Sequence, residues 1–76
     1  MWIVNRRNLI AINLDYVSDI GIYSTDSKHF IQVSRQNGSK NEEQLLAYYN
    51  SKEEAFATLN KICVALETPN KRICYI

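Results

Sequence analysis

Apolar residues recur with a helical period over residues 51–67, and this is the clearest pattern in the chain. The stripe that should pack on the rest of the protein comprises Ala55, Phe56, Leu59, Ile62, Cys63 and Leu66. Ser51 and Glu54 form an S-x-x-E capping box, in which side chains satisfy free backbone N–H groups at a helix start. Because Pro69 disfavours helical geometry in the residue before it, we expect the helix to end near Thr68. A helix this short needs a surface to pack on.

Alternating apolar and polar residues predict that this surface is a β-sheet. We expect strands at 2–4, 9–14, 19–24, 29–35 and 44–49, and a last strand at 71–76. Residues 25–28 predict one hairpin turn, and Asn37-Gly38 predicts another because both residues tolerate positive φ. The sequence therefore predicts one α+β domain over 1–76, with a single antiparallel sheet of five to six strands packed on one C-terminal helix and a short terminal strand (βββββαβ).

Size and charge narrow the classes of function. A chain of 76 residues buries only about 60% of its unfolded surface, so a homo-oligomer is a natural way to bury more. Its formal net charge of +1 creates no strong field that would favour nucleic acid or an anionic membrane. No run approaches the ~18 apolar residues of a membrane helix, and the start lacks the pattern of a signal peptide. We therefore expect a cytoplasmic protein.

No set of residues predicts catalysis, a metal site or a cofactor. His29 is the only histidine and opens a strand without a nucleophile or carboxylate at a typical spacing, so we interpret it as an exposed strand-end residue. Cys63 and Cys74 have no further ligand nearby, and a disulfide is not expected in the cytoplasm, so both are interpreted as small apolar residues. The sequence predicts a protein that is not an enzyme.

Two basic pairs flank apolar strands. Arg6-Arg7 follows the first strand and Lys71-Arg72 precedes the last. If these strands are neighbours, four cations would gather beside Trp2 and Tyr75, an arrangement suited to stacking on a base and binding phosphates. The alternative is that the basic pairs are solvated turns that protect aggregation-prone strands.

Five tyrosines give the chain an excess of residues typical of protein interfaces. Tyr48 and Tyr49 are neighbours in a strand and must point to opposite faces. With Leu9, Ala11, Phe30 and either Leu45 or Leu46, the face away from the helix is too apolar for ordinary surface scatter, although scatter is the alternative. The predicted binding residues are Trp2, Arg6, Arg7, Tyr23, Leu46, Tyr48 and Tyr75.

Several short motifs give the chain a family resemblance. They are the opening Met-Trp-Ile-Val-Asn, Ile12-Asn13-Leu14-Asp15-x-Val17, Asn37-Gly38, Tyr49-x-Ser51-x-Glu53-Glu54-Ala55, Leu59-x-x-Ile62 and Ala65-Leu66. In these the chain resembles small proteins of phages, prophages and other mobile elements of Gram-positive bacteria. Those proteins look like reduced pleckstrin-homology-like sheets with a C-terminal helix. Tyr48 and the apolar ending Cys74-Tyr75-Ile76 depart from the pattern.

The resemblance implies a class of role and no functional residue, because every shared motif is a folding signal. By analogy, it implies a non-catalytic accessory or anti-defence factor in the host bacterial cytoplasm. Such a factor would bind a host defence protein through its tyrosine-bearing face, or sequester a nucleotide immune signal between subunits with Arg6 and Arg7. The alternative function is a nucleic-acid-binding regulator, which the near-neutral charge disfavours.

Overall fold

The computed structural model describes residues 1–76. The strands are β1 (Trp2–Asn5), β2 (Ile10–Asn13), β3 (Asp19–Ser24), β4 (His29–Asn37), β5 (Lys40–Tyr49) and β6 (Ile73–Tyr75), and the helix α1 spans Lys52–Glu67. The predicted α+β class and element order are confirmed. The predicted single sheet is wrong, since the strands form two three-stranded sheets: sheet I, in the order β2–β1–β6, and sheet II, in the order β3–β4–β5.

A short 3₁₀ turn at Leu14–Tyr16 separates the two sheets along the chain. The Asn13 side chain accepts a hydrogen bond of 3.0 Å from the backbone N–H of Asp15, and the N–H of Val17 donates to the carbonyl of Leu14. These bonds hold the connection in a turn, so β2 and β3 do not continue as a hairpin. The sequence signalled a connection here but not its effect on the sheet.

The last strand joins sheet I in parallel. Trp2 lies opposite Ile73 and Val4 lies opposite Tyr75. A strand that returns through a helix commonly pairs in parallel, because the crossover brings the chain back in the same direction. The expectation of an entirely antiparallel sheet is therefore wrong at β6. The first and last strands are neighbours, an arrangement that the sequence left open.

Both hairpins of sheet II form where turn residues predicted them. The backbone N–H of Thr25 donates to the carbonyl of Lys28 over 2.9 Å, which closes the turn between β3 and β4. Between β4 and β5, Gly38 has a φ of +65° at the first of the two turn positions, where type II′ turns place glycine. The Asn37-Gly38 signal thus identified the hairpin, although Asn37 itself is still part of β4.

One core lies between the two sheets and the helix. Its largest fully buried side chains come from sheet I, from β4 and β5 of sheet II and from the helix, namely Ile3, Ile31, Leu46 and Ile62. Only 11 of the 76 residues are buried, so many apolar side chains remain on the surface. These exposed apolar side chains are available to bind a partner.

The helix starts and ends as predicted, with one change of partner. The Ser51 hydroxyl oxygen accepts from the backbone N–H of Glu54 over 3.4 Å and donates to the carboxylate of Glu53 over 2.9 Å. The predicted bond from the Ser51 backbone N–H to the Glu54 carboxylate does not form, and the Ser51 hydroxyl bonds to the Glu53 carboxylate instead. Thr68 has extended backbone geometry, as expected for the residue before Pro69.

The buried face of α1 is narrower than the predicted stripe. It consists of Ala55, Ile62 and Ala65, whereas Phe56, Cys63 and Leu66 are exposed. Two alanines at the contact let the helix approach the sheets closely, and residues on its flanks then lie outside the interface. The predictions that Phe56, Cys63 and Leu66 pack in the core are wrong.

A β-bulge in β5 directs two consecutive residues, Leu46 and Ala47, toward the core. Ile31 lies opposite Ala47 and the next residue, Gln32, lies opposite Leu45, so Leu46 is an extra residue in β5. Leu46 and Ala47 are both buried, and Leu45 is only partly buried. The prediction that Leu46 belongs to an outer binding surface is wrong.

Leu9 is a strained residue in the turn between β1 and β2. Its φ is +56° and its side chain is 91% exposed, so it adopts a left-handed conformation without gaining burial. We expect Leu9→Gly to raise the free energy of unfolding by about 1 kcal/mol, measured by urea denaturation. Leu9→Ala keeps the strain and should change stability by less than about 0.5 kcal/mol. A glycine variant less stable than the unchanged protein would contradict the inference that Leu9 is strained.

Candidate functional site

Three aromatic side chains form a row across the outer face of sheet II. Tyr23 lies opposite Phe30, and Phe30 lies opposite Tyr48, so the three rings occupy adjacent strands. Their ring centroids are 6.2 Å and 6.5 Å apart, within the range of favourable aromatic pairs. Tyr23 is 57% exposed and Tyr48 is 45% exposed. We call these three residues the aromatic row.

Strand alternation directs the row away from the helix. Ile31 and Ala47 are buried neighbours in the same strands, and they point into the core. Tyr49 points inward as well, where its hydroxyl accepts a hydrogen bond of 3.0 Å from Thr58 of α1. On the outer face, the Lys28 ammonium lies 5.3 Å from the centroid of the Tyr48 ring. The row is therefore an aromatic surface with a cation at one end, and no element of the chain covers it.

The outer face of sheet I carries a second exposed group of aromatic and apolar side chains. Trp2 and Ile73 are paired across β1 and β6, and Tyr75 follows on the same face. The Arg6 guanidinium carbon lies 4.0 Å from the centroid of the Tyr75 ring, which is a close cation–π contact. Arg6 and Tyr75 are thus in contact, whereas Trp2 lies opposite Ile73, two residues before Tyr75 along β6.

The two basic pairs do not meet. Because β1 and β6 are parallel, Arg6-Arg7 follows one end of sheet I and Lys71-Arg72 precedes the other end. The backbone N–H of Trp2 donates to the carbonyl of Arg72 over 2.8 Å, which places Arg72 beside the start of β1. Arg6 is four residues further along, or about 13 Å at ~3.3 Å per residue. The predicted cluster of four cations is wrong.

The predicted binding residues are therefore divided among separate places. Tyr23 and Tyr48 belong to the aromatic row, whereas Trp2, Arg6 and Tyr75 lie on sheet I and Leu46 lies in the core. Arg7 lines a cleft of about 480 Å³ beside the start of α1. Sequence reasoning placed Phe30 on the outer face but did not identify it as the centre of the row. The four-residue turn at 25–28 is the sequence signal that could have identified Phe30 as part of the row, because this turn sets Tyr23 opposite Phe30.

A cleft of about 460 Å³ opens between β2 and the second sheet, with Trp2 and Tyr16 among its lining residues. This volume is typical of ligand pockets. Its charged residues are one arginine, Arg35, and two glutamates, Glu42 and Glu43. Hydrogen bonds from Asn37 and then Arg35, together with the charge of Arg35, lower the pKa of Glu42. The cleft thus holds an excess of negative charge, which disfavours a phosphate-bearing ligand.

The cleft beside the start of α1 is also unsuited to an anion. Its lining combines Arg7 with Glu54, and the first helical turn holds Glu53 as well. Hydrogen bonds from the Glu53 backbone and then the Ser51 side chain lower the pKa of Glu53. These carboxylates already face the positive end of the helix dipole, where an anionic ligand would have to bind.

The arrangement closest to a catalytic pair is Ser24 with His29. The Ser24 hydroxyl lies 2.8 Å from Nδ1 of His29, at the end of the β3–β4 hairpin. Neither residue lines the cleft between β2 and sheet II or the cleft beside the start of α1. Cys63 and Cys74 are both free thiols, with Cys63 exposed and Cys74 buried. No three histidine, cysteine, aspartate or glutamate side chains lie close enough together to hold a metal ion.

Comparison with protein-family models, curated proteins and solved structures returned no significant match. The resemblance to mobile-element proteins stays a prediction that rests on the short motifs named above. The one helix, α1, is too short and too polar to cross a membrane. Among the exposed surfaces, the aromatic row is the one in which three aromatic rings contact one another in sequence.

Proposed function

We propose that the protein is a non-catalytic binding protein that docks a partner protein on the aromatic row. The supporting observation is the set of three adjacent aromatic rings, with both tyrosines about half exposed on the side away from the core. Tyrosine contributes much apolar area with few rotatable bonds, which makes it a frequent anchor in interfaces. The two tyrosines and Phe30 in contact form an anchor of the kind that contributes most of the binding energy.

The role that we propose is that of an accessory or anti-defence factor of a phage or mobile element. In this role the protein would bind a host defence protein in the bacterial cytoplasm and block it. The support for the cellular role is the motif resemblance, and the support for the mode of action is the aromatic row. Binding of a protein requires no catalytic group, which agrees with an exposed surface as the main feature of the molecule.

A protein partner is better supported than a nucleotide or a nucleic acid. Both nucleotide binding and the alternative role of nucleic-acid regulator require concentrated positive charge. The basic pairs lie at opposite ends of sheet I, and the cleft between β2 and sheet II carries two glutamates against one arginine. The net charge of +1 provides no compensating field.

The double change Tyr23→Ser with Tyr48→Ser tests the proposed function. Each tyrosine anchor contributes about 2 kcal/mol, so partner affinity should fall roughly a thousandfold. The measurement is phage plating efficiency on Gram-positive strains that each carry one defence system and express the protein. We expect the unchanged protein to restore plating on at least one strain and the double variant to lose this effect. Tyr16→Ser is the matched control, since Tyr16 is exposed but lies outside the row.

Two outcomes would contradict this proposal. One is full protection of the phage by the double variant, with circular dichroism showing that it is folded. The other is no protection by the unchanged protein on any strain. Sedimentation of the same variants tests the predicted homo-oligomer separately: an oligomer that the double change converts to a monomer would show that the row binds a second copy of the chain.

A further inference from the structure

The free edge of β6 borders a groove that no other part of the chain fills. The groove has a volume of about 310 Å³ and runs between β6 and the second half of α1. Val64 of the helix is 54% exposed and Ile73 of the strand is 41% exposed, so both walls present apolar surface to solvent. This site is distinct from the aromatic row, which lies on sheet II.

The backbone of β6 offers hydrogen-bonding groups along this groove. The carbonyl of Arg72 and the N–H of Ile76 bond to β1, over 2.8 Å and 3.0 Å. Since alternate residues of a strand face the same neighbour, the N–H and C=O groups of Ile73 and Tyr75 point away from β1. Sheet I ends at β6, and no side chain bonds to these groups. An added strand would find donors and acceptors already aligned.

The charge of the groove specifies the occupant. Its charged lining residues are Lys61 on the helix and Lys71 before the strand, and it has no acidic lining residue. A second copy of the chain would bring the same lysines against each other, whereas an acidic segment would neutralise them. We infer that β6 binds an extended acidic peptide segment of another protein, by strand addition, with an apolar side chain of that segment against Val64.

The test measures amide hydrogen exchange of the folded protein by NMR, with an acetylated and amidated hexapeptide of alternating valine and glutamate as the probe. For one short segment we expect a dissociation constant of ~1 mM. At ~10 mM peptide the amides of Ile73 and Tyr75 should then exchange about tenfold more slowly, because protection scales with the ratio of peptide concentration to dissociation constant. The Cys74 amide already bonds to β1 and should change little. The corresponding valine–lysine peptide should give no protection, because its charge matches that of the groove.

Variants separate the backbone from the charge. Tyr75→Pro removes an N–H that points away from β1, so the fold should persist while peptide protection at Ile73 is lost. Tyr75→Thr removes the ring but keeps the N–H, and should retain the protection. The pair Lys61→Glu with Lys71→Glu should reverse the preference in favour of the lysine peptide.

Three results would overturn the inference. They are an absence of protection with the glutamate peptide, equal protection with both peptides, and protection that depends only on protein concentration. The last would assign the edge to a second copy of the chain. None of these measurements involves Tyr23 or Tyr48, so failure here leaves the aromatic row untouched, and failure of the row leaves this result standing.

Discussion

Leu46→Ala should lower the free energy of unfolding by about 3 kcal/mol, among the largest effects of any single substitution in this protein. Leu46 is the extra residue of the bulge in β5, and its side chain is fully buried. Truncation removes apolar contacts and leaves a cavity in a core that has few residues to rearrange. The adjacent Leu45 is the matched control. It lies opposite Gln32 and is only partly buried, so Leu45→Ala should cost less than about 1 kcal/mol.

Urea denaturation of the two alanine variants is the measurement, with equal dependence on urea concentration as the check that both unfold in one step. The prediction concerns the order of the two costs as well as their size. If Leu45→Ala were the more damaging change, Leu45 and not Leu46 would face the core. Sequence reasoning placed Leu46 among the outward binding residues, so the experiment tests which of the two leucines is buried.

Asn5→Ala should destabilise the protein by about 2 kcal/mol. Asn5 is the one buried polar residue, and its amide nitrogen donates to the carbonyl of Leu46 over 2.9 Å. Its side-chain oxygen accepts from the backbone N–H groups of Arg7 and Asn8, over 3.1 Å and 3.3 Å. One side chain thus joins the first turn of sheet I to the bulge of sheet II. Alanine leaves the Leu46 carbonyl buried without a donor, which costs more than the hydrogen bond itself is worth.

Asn13→Ala is the control for this effect. Asn13 also accepts from a backbone N–H, that of Asp15, but the bond is exposed and water can replace it. Its loss should cost about 0.5–1 kcal/mol in the same denaturation assay. If the two alanine variants lost similar amounts of unfolding free energy, the buried Asn5–Leu46 bond would be no more stabilising than the exposed Asn13–Asp15 bond.

Local signals in the sequence predicted much of this fold. The helix bounds followed from Ser51 and Pro69, and the hairpins followed from residues 25–28 and from Gly38. Each of these features depends on residues within a few positions of one another. Part of the aromatic row is also local, because the turn at 25–28 fixes Tyr23 opposite Phe30.

The features that sequence reasoning missed depend on contacts between distant residues. Unbroken pairing from the turn at Gly38 would set Phe30 opposite Ala47, and only the bulge moves Tyr48 into that position. The bulge is stabilised by Asn5, which lies 41 positions away from Leu46. No periodicity in β5 announces an extra residue, so Leu46 was assigned to the wrong face. The bulge thus completes the row, because it lets Leu46 and Ala47 both face the core and directs Tyr48 outward.

The predicted cation cluster does not form because the last strand is parallel to the first. One basic pair follows β1 and the other precedes β6. Antiparallel strands would bring the two pairs to the same end of the sheet, whereas parallel strands place them at opposite ends. The sequence indicated that 2–4 and 71–76 were strands, but their relative direction depends on the path of the chain through α1. In the observed arrangement Arg6 contacts the ring of Tyr75, whereas Lys71 and Arg72 lie at the opposite end of sheet I.

The pairing of β1 with β6 also has a consequence for the time course of folding. Trp2 and Ile73 are partners although nearly the whole sequence separates them, while the meander of sheet II closes through short turns. Contacts between distant residues form late, because the entropy of closing a long loop must be overcome first. During synthesis, sheet II and α1 can therefore associate before β6 has been made. Sheet I is completed only when β6 has been made, so the part of the core that Cys74 covers stays exposed in the nascent chain until then.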